Sequence, residues 1–313
     1  MLGERDSLPS PEQLVYETKP NLNHPNQPPI VFACDPETGY IILATRTNWE
    51  TYAQEWHVAG LRDLADALGI IVGSQFSSIY YPYAELENVN QLSLQQFNGA
   101  ILEHTAWHTS EPQEGVFVFD IMDGMYEKSA DAILANALAH KLYIRGDHII
   151  NPPSDFDYTY LRDMTDLTPE RLLEIMKNHI RGVMNHFTGK INLYGVVNES
   201  RTPDELKPDE RPYDMFNVII GESYIEEAFR TARGTDPSAI LTYNETRNET
   251  KQGRLYQRTK EIVDRLRPLG LIDGVGVQMH LDGSNPPRKQ DVIEAFRSYG
   301  IPVYIRTLPI NII

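Results

Sequence analysis

Ile191-Asn192-Leu193-Tyr194-Gly195-Val196-Val197-Asn198-Glu199 is a short apolar run closed by an amide and a carboxylate. Its centre, Leu193 to Val197, reads as a strand buried on both faces, as in parallel sheets. Six more short apolar runs share the pattern: Ile70 to Val72, Ala100 to Leu102, Leu142 to Ile144, Ile240 to Tyr243, Val275 to Val277 and Val303 to Ile305. Helical periodicity separates most of them. Ile225, Ala228, Phe229 and Ala232 fall at i, i+3, i+4 and i+7. Thr168 and Pro169 are a good N-cap and first position for a helix carrying Leu172, Leu173, Ile175 and Met176. Val292, Ala295 and Phe296 form another apolar face. Strands alternating with helices in this way predict an α/β fold of the (β/α)8 TIM-barrel type, with the C-terminal eighth strand missing.

Ahead of this alternation the chain reads differently. Residues 1–29 are rich in Pro, Asn and Glu and are expected to form an extended arm. The runs Ile30-Val31-Phe32-Ala33 and Tyr40-Ile41-Ile42-Leu43-Ala44 flank Asp35-Pro36-Glu37-Thr38-Gly39, turn chemistry that predicts a hairpin. The expected organisation is an arm and hairpin over residues 1–57 and a barrel over 58–313. A parallel sheet lacking its last strand has an edge open to aggregation, so part of the hairpin is expected beside the first strand.

Composition narrows the partners. The formal net charge is −16, from 44 acidic and 28 basic residues. Nucleic acid and anionic membranes need a basic surface and are not expected to bind. A neutral polysaccharide is indifferent to this field. Cys34 is the sole cysteine, so neither an internal disulfide nor a cysteine zinc cage can form. No apolar run approaches the roughly 20 residues that span a bilayer. Met1-Leu2-Gly3-Glu4-Arg5-Asp6 lacks the apolar core of a signal peptide, so a cytoplasmic location is expected unless a signal was removed.

Active residues of such barrels sit at the C-terminal ends of strands. Those ends read Glu103-His104, Arg145-Gly146-Asp147-His148, Asn198-Glu199, Tyr243-Asn244-Glu245, Gln278-Met279-His280 and Arg306-Thr307. An acid-rich rim with aromatics suits a carbohydrate, whose hydroxyls need carboxylate and amide partners and whose faces stack on rings.

From about residue 58 onward the chain resembles glycoside hydrolase family 10, the retaining β-1,4-xylanases. Trp107-His108-Thr109-Ser110-Glu111-Pro112, with Gly115, Phe117 and Phe119, is similar to the family's Trp-x-x-x-Glu-Pro segment. Arg145-Gly146 matches its Arg-Gly, and Val196-Val197-Asn198-Glu199 its Val-Val-Asn-Glu. Gly221 to Phe229, Asp236-Pro237 and Leu241-Thr242-Tyr243-Asn244 follow its fourth helix and fifth strand. Gly274-Val275-Gly276-Val277-Gln278-Met279-His280-Leu281 matches its sixth-strand signature. Each piece is weak alone, but their order and spacing are specific. The resemblance implies hydrolysis of a β-linked polysaccharide or oligosaccharide by two carboxyl groups about 5–5.5 Å apart. It implies Glu199 as acid/base and Asn198 on the sugar 2-hydroxyl. Gln278 and His280 would orient the nucleophile, and Glu103, His104, Trp107, Asp147 and Tyr243 fall at substrate-binding positions. It implies no cofactor.

The departures lie at the second carboxylate. Where the family has Ile-Thr-Glu-Leu-Asp, this chain has Ile305-Arg306-Thr307-Leu308-Pro309. Thr307 at the nucleophile position has no carboxylate to form a glycosyl ester. The family's His after Arg-Gly falls on Asp147, its Trp-His on Asn151-Pro152, and its second-strand Asn and Lys on His104 and Ala106. Two readings therefore stand: a xylanase-like hydrolase of weak or lost activity, and a non-catalytic glycan-binding or structural pseudoenzyme. A substitute base for an inverting route (Asp147, Glu245 or Glu249) stays open, since that route needs carboxyls about 6.5–9.5 Å apart. A divalent metal on His104, His108, Asp147 and His148 is a different chemistry. No His-x-His or His-Glu-x-x-His spacing supports it, and no metal is expected.

Overall fold

Antiparallel pairing organises the N-terminal part of the chain. Strands β1 (Val15–Lys19), β2 (Ile30–Cys34), β3 (Ile41–Thr47) and β4 (Gln54–Val58) form one sheet in the order β1-β2-β3-β4. The computed structural model describes residues 10–75, 91–120, 129–151, 159–165, 167–200, 214–306 and 310–311. Chain contacts divide it into two units, residues 1–101 with 135–143, and residues 102–134 with 144–313. The predicted hairpin is β2–β3, closed at Asp35, whose Oδ1 accepts from the Glu37 N–H at 2.9 Å. It does not add to the edge of the parallel sheet, contrary to expectation. β1, drawn from the arm, and β4 occupy its two sides instead.

The first unit is held by buried charge as much as by apolar packing. Ile30, Phe32 and Ala44 form a small core. The helix Leu61–Leu68 turns Arg62, Asp63 and Asp66 inward, at 3%, 2% and 6% exposure, while Leu61 and Leu68 stay exposed. Such polar burial is tolerated only when every group is partnered. Asp63 accepts from the Gly60 N–H at 2.8 Å and from Arg46 Nε and Nη2 at 3.2 and 3.0 Å, and His57 Nε2 lies 2.9 Å away. Arg62 donates to the carbonyls of Leu94 and His140 at 3.0 and 2.8 Å, and burial pushes its guanidinium down to about 10. Asp63→Ala leaves four donors without their acceptor, and is expected to cost about 3 kcal/mol in a denaturant titration. A loss below about 1 kcal/mol would show that water replaces the carboxylate.

Among the described residues seven parallel strands run in the order β12-β10-β9-β8-β7-β6-β5, the alternation of a (β/α) barrel with seven of its eight strands. They are β5 (Gly73–Gln75), β6 (Gly99–Leu102), β7 (Tyr143–Ile150), β8 (Leu193–Asn198), β9 (Ile240–Glu245), β10 (Gly274–Val277) and β12 (Val303–Ile305). A two-residue strand, β11 (Leu281–Asp282), pairs with β13 (Ile310–Asn311). One strand departs from its predicted place. Ile70 and Ile71 are exposed in the connection after Gly69, a left-handed cap at φ +68°, and β5 begins three residues later than the apolar run.

The second unit is the larger. Every residue of β8 is buried, as a strand covered on both faces requires. The helix Pro169–Phe187 starts where its cap predicts, with Thr168 Oγ1 accepting from the Arg171 N–H at 3.2 Å. It packs on the helix Ser223–Thr235, whose Ile225, Ala228, Phe229 and Ala232 are wholly buried. Glycine admits two close approaches within the sheet: a Cβ on Gly146 would meet the Tyr194 ring at 2.8 Å, and one on Gly276 would meet Asn244 Oδ1 at 2.3 Å. β7 carries a bulge between Gly146 and His148, so Asp147 drops out of register with β8. A bulge re-aims a side chain.

Candidate active site

Parallel strands deliver their C-terminal residues to one end of the sheet, and four of the predicted residues meet there. Glu199 follows β8 with φ +50°, a left-handed backbone that a β-carbon disfavours, and its N–H donates to the Asn244 carbonyl at 3.0 Å. Its Oε1 accepts from Gln278 Nε2 at 2.6 Å. Gln278 follows β10, and Met279 beyond it is also left-handed, φ +43°. Two non-glycine residues in this region, at facing strand ends, are a strain that proteins keep mostly at functional sites.

The hydrogen bonds assign the polarity of this group. The Gln278 amide nitrogen donates to both Glu199 and Asn198 Oδ1, the latter at 3.2 Å. Gln278 Oε1 is then the acceptor facing His280 Nε2 at 2.9 Å, so that nitrogen carries the proton. Asn198 Oδ1 also accepts from Asn244 at 2.6 Å, and Asn198 Nδ2 donates to Asn151 Oδ1 at 2.7 Å. Asn198 and Asn244 are buried; Glu199 is half-buried and His280 exposed. Behind Glu199, the buried Ser200 hydroxyl accepts from Arg258 at 3.1 Å, and Arg258 is ion-paired with Glu222. Asn151, Asn244 and Arg258 are supports absent from the predicted site. Asn244 stands at a strand end and Asn151 at a departure from the family pattern, whereas nothing in sequence marks Arg258.

Other predicted residues are placed differently. Trp107 is 1% exposed, stacked on His179 at 3.9 Å and donating to the Tyr160 hydroxyl at 3.1 Å. Its ring has no face left for a sugar. Tyr243 is wholly buried and donates to Glu245 Oε2 at 2.9 Å. Glu245, also wholly buried, takes the Thr246 N–H on its other oxygen at 2.8 Å, so it is poorly placed to activate water. Glu103 lies half-buried in a single 3-10 turn, Glu103–Thr105, that also contains His104. Thr307 lies outside the described residues. Among the described residues no three His, Cys, Asp or Glu side chains are placed to hold a metal ion. No described helix is long and apolar enough to cross a membrane.

Asp147 and Arg306, the departures at the third and seventh strands, are each other's partner. The Arg306 guanidinium pairs with Asp147 Oδ1, although three strands lie between β7 and β12 in the sheet. Burial works to raise the Asp147 carboxyl, but Arg306, with Arg145 near, outweighs it and holds the group below its ordinary range. Burial, reinforced by Arg306, drives His148 well below its ordinary value, so that imidazole is neutral.

Comparison with known proteins agrees with this fold. The profile of glycosyl hydrolase family 10 matches residues 60–312. Endo-1,4-beta-xylanase B of Thermotoga neapolitana is 27% identical over 253 residues, 78% of this chain and 67% of that protein. Endo-1,4-beta-xylanase A of Humicola insolens is 30% identical over 210 residues, 66% of this chain, which spans about half (52%) of that relative's length. The crystal structure of native xylanase 10B from Thermotoga maritima superposes with a TM-score of 0.68 at 24% identity, covering 80% of this chain and 74% of that one. That of a xylanase from Bispora sp. MEY-1 with xylobiose gives the same score at 21% identity, with 80% and 75% covered.

Proposed function

The chain belongs to glycosyl hydrolase family 10, and from that premise we propose that it acts on a β-1,4-linked, xylan-like glycan, with Glu199 as the acid/base. The hydrogen-bonded set Asn198–Glu199–Gln278–His280 at the strand ends carries this reading. Gln278 fixes the Glu199 carboxyl at the strand end, where an acid/base would protonate a departing glycosidic oxygen. Asn198 is fixed by three amide partners, and its second Nδ2 hydrogen is the donor for a sugar 2-hydroxyl. Turnover is weak or lost because Thr307 stands at the nucleophile position and supplies no carboxylate.

One observation favours the second reading, a non-catalytic glycan-binding protein: the Arg306–Asp147 ion pair takes positions where the family pattern has Thr and His. Reducing-sugar release from xylan, measured for the parent chain and for Glu199→Gln, separates the two. The expected result is slow release that falls by about 100-fold or more in Glu199→Gln. Release that survives Glu199→Gln removes the acid/base role. Absence of release alongside retained xylan binding puts the second reading first.

A further inference from the structure

We propose that one face of the N-terminal sheet is a second binding surface for a neutral β-linked glycan; the choice of ligand rests on the reading above. Residues paired directly across strands point to the same face. Tyr16 pairs with Ala33, Ala33 with Leu43 and Leu43 with Val58, while Thr45 pairs with Trp56 in the next row of that face. None of the six carries a charge, in a chain whose formal charge is −16. Ile30, Phe32 and Ala44, which build the small core, belong to the opposite face.

Tyr16 and Trp56 stand on the two edge strands, yet their rings meet edge to face at 5.9 Å and 71°. Between them lie Ala33 and Thr45, small enough to let both rings lean across the sheet, and buried to 0% and 5% exposure. The rings themselves remain half-exposed, at 51% and 50%. Each ring braces the other, so little side-chain freedom is lost when a ligand arrives. Sugar C–H faces stack on such rings and sugar hydroxyls stay in water, as these amphipathic side chains allow. An uncharged face desolvates no ion on contact and offers none for a charged partner to pair with. Anionic polymers are further opposed by the acidic surface. A neutral, amphipathic polymer is the occupant that fits.

The test uses the full chain carrying Glu199→Gln, so that the probe xylohexaose stays intact. The indole N–H resonance of Trp56, assigned through Trp56→Phe, is expected to shift saturably with xylohexaose. Retention on insoluble xylan is expected to fall about 10-fold in Trp56→Ala and in Tyr16→Ala, each made in the Glu199→Gln chain. A Trp56 resonance that ignores the sugar, or retention unaffected by either variant, overturns the proposal. A Trp56 shift that instead follows protein concentration, with a doubled mass in light scattering, also overturns it and assigns the face to a second copy. The strand-end reading fails separately, on the Glu199→Gln hydrolysis comparison.

Discussion

Thr307→Glu alone is expected to release no more reducing sugar from xylan than the parent chain, whereas Thr307→Glu with Arg306→Thr and Asp147→His is expected to release at least about 100-fold more. A retaining mechanism needs a second carboxylate facing the anomeric carbon, and Thr307→Glu restores the group. It does not clear the space. Arg306, one position earlier, donates to the Val277 carbonyl at 2.9 Å through its backbone and sends its guanidinium to Asp147 on β7. A glutamate introduced beside that guanidinium competes with Asp147 for it, and an arginine-bound carboxylate is a weak nucleophile. Removing both partners frees the carboxylate and returns both positions to the family pattern. Arg306→Thr without Asp147→His would leave a buried, unpaired carboxylate, so the two changes belong together. An equal gain in the single and triple variants would show that the ion pair does not obstruct the site. No gain in either would show that the loss reaches beyond these three positions.

How far such a site is legible in sequence depends on the kind of signal each residue carries. Glu199 was legible because an apolar run ends in Asn-Glu, and strand ends are where barrel chemistry sits. Six of the seven parallel strands fall on the predicted apolar runs for the same reason. The first did not: Ile70 to Val72 looks like a strand, but Gly69 closes the helix there, and the true strand, Gly73-Ser74-Gln75, has no apolar signature. β1 lies in the stretch whose Pro, Asn and Glu content predicts an arm, and because every residue of it is exposed no burial pattern marks it. Ring burial was illegible too. Trp107 and Tyr243 both read as substrate-facing aromatics, and only packing shows that His179 and Glu245 already hold them. Nothing in the acidic stretch Glu222 to Glu227 announces its partners, yet Glu222 meets Arg258 and Arg265, Glu226 meets Arg230, and Glu227 meets Lys177. The Arg306–Asp147 pair joins residues 159 positions apart. In sequence they are two unrelated departures; in the fold they are one coupled change.

That coupling has a thermodynamic signature. Arg306→Met is expected to destabilise the protein by about 3 kcal/mol at pH 7, because it leaves the Asp147 carboxylate without its main counter-charge. The side chains are 19% and 16% exposed, so salt screens the pair less than a surface one. The pH dependence fixes the cause. In the parent the folded-state carboxyl lies below its unfolded value, so the pair's stabilisation is fully present above the unfolded pKa of about 3.9 and is lost as pH falls through the folded one. In Arg306→Met burial loses its largest opponent, and the carboxyl moves up. The difference in unfolding free energy between parent and variant should therefore be largest at neutral pH and shrink as Asp147 becomes protonated in both. Arg306→Met with Asp147→Asn removes the buried charge and should recover most of the loss, through a coupling that a double-mutant cycle reads directly. A loss independent of pH, or undiminished in the double variant, would mean that the arginine stabilises by packing its stem rather than through its charge.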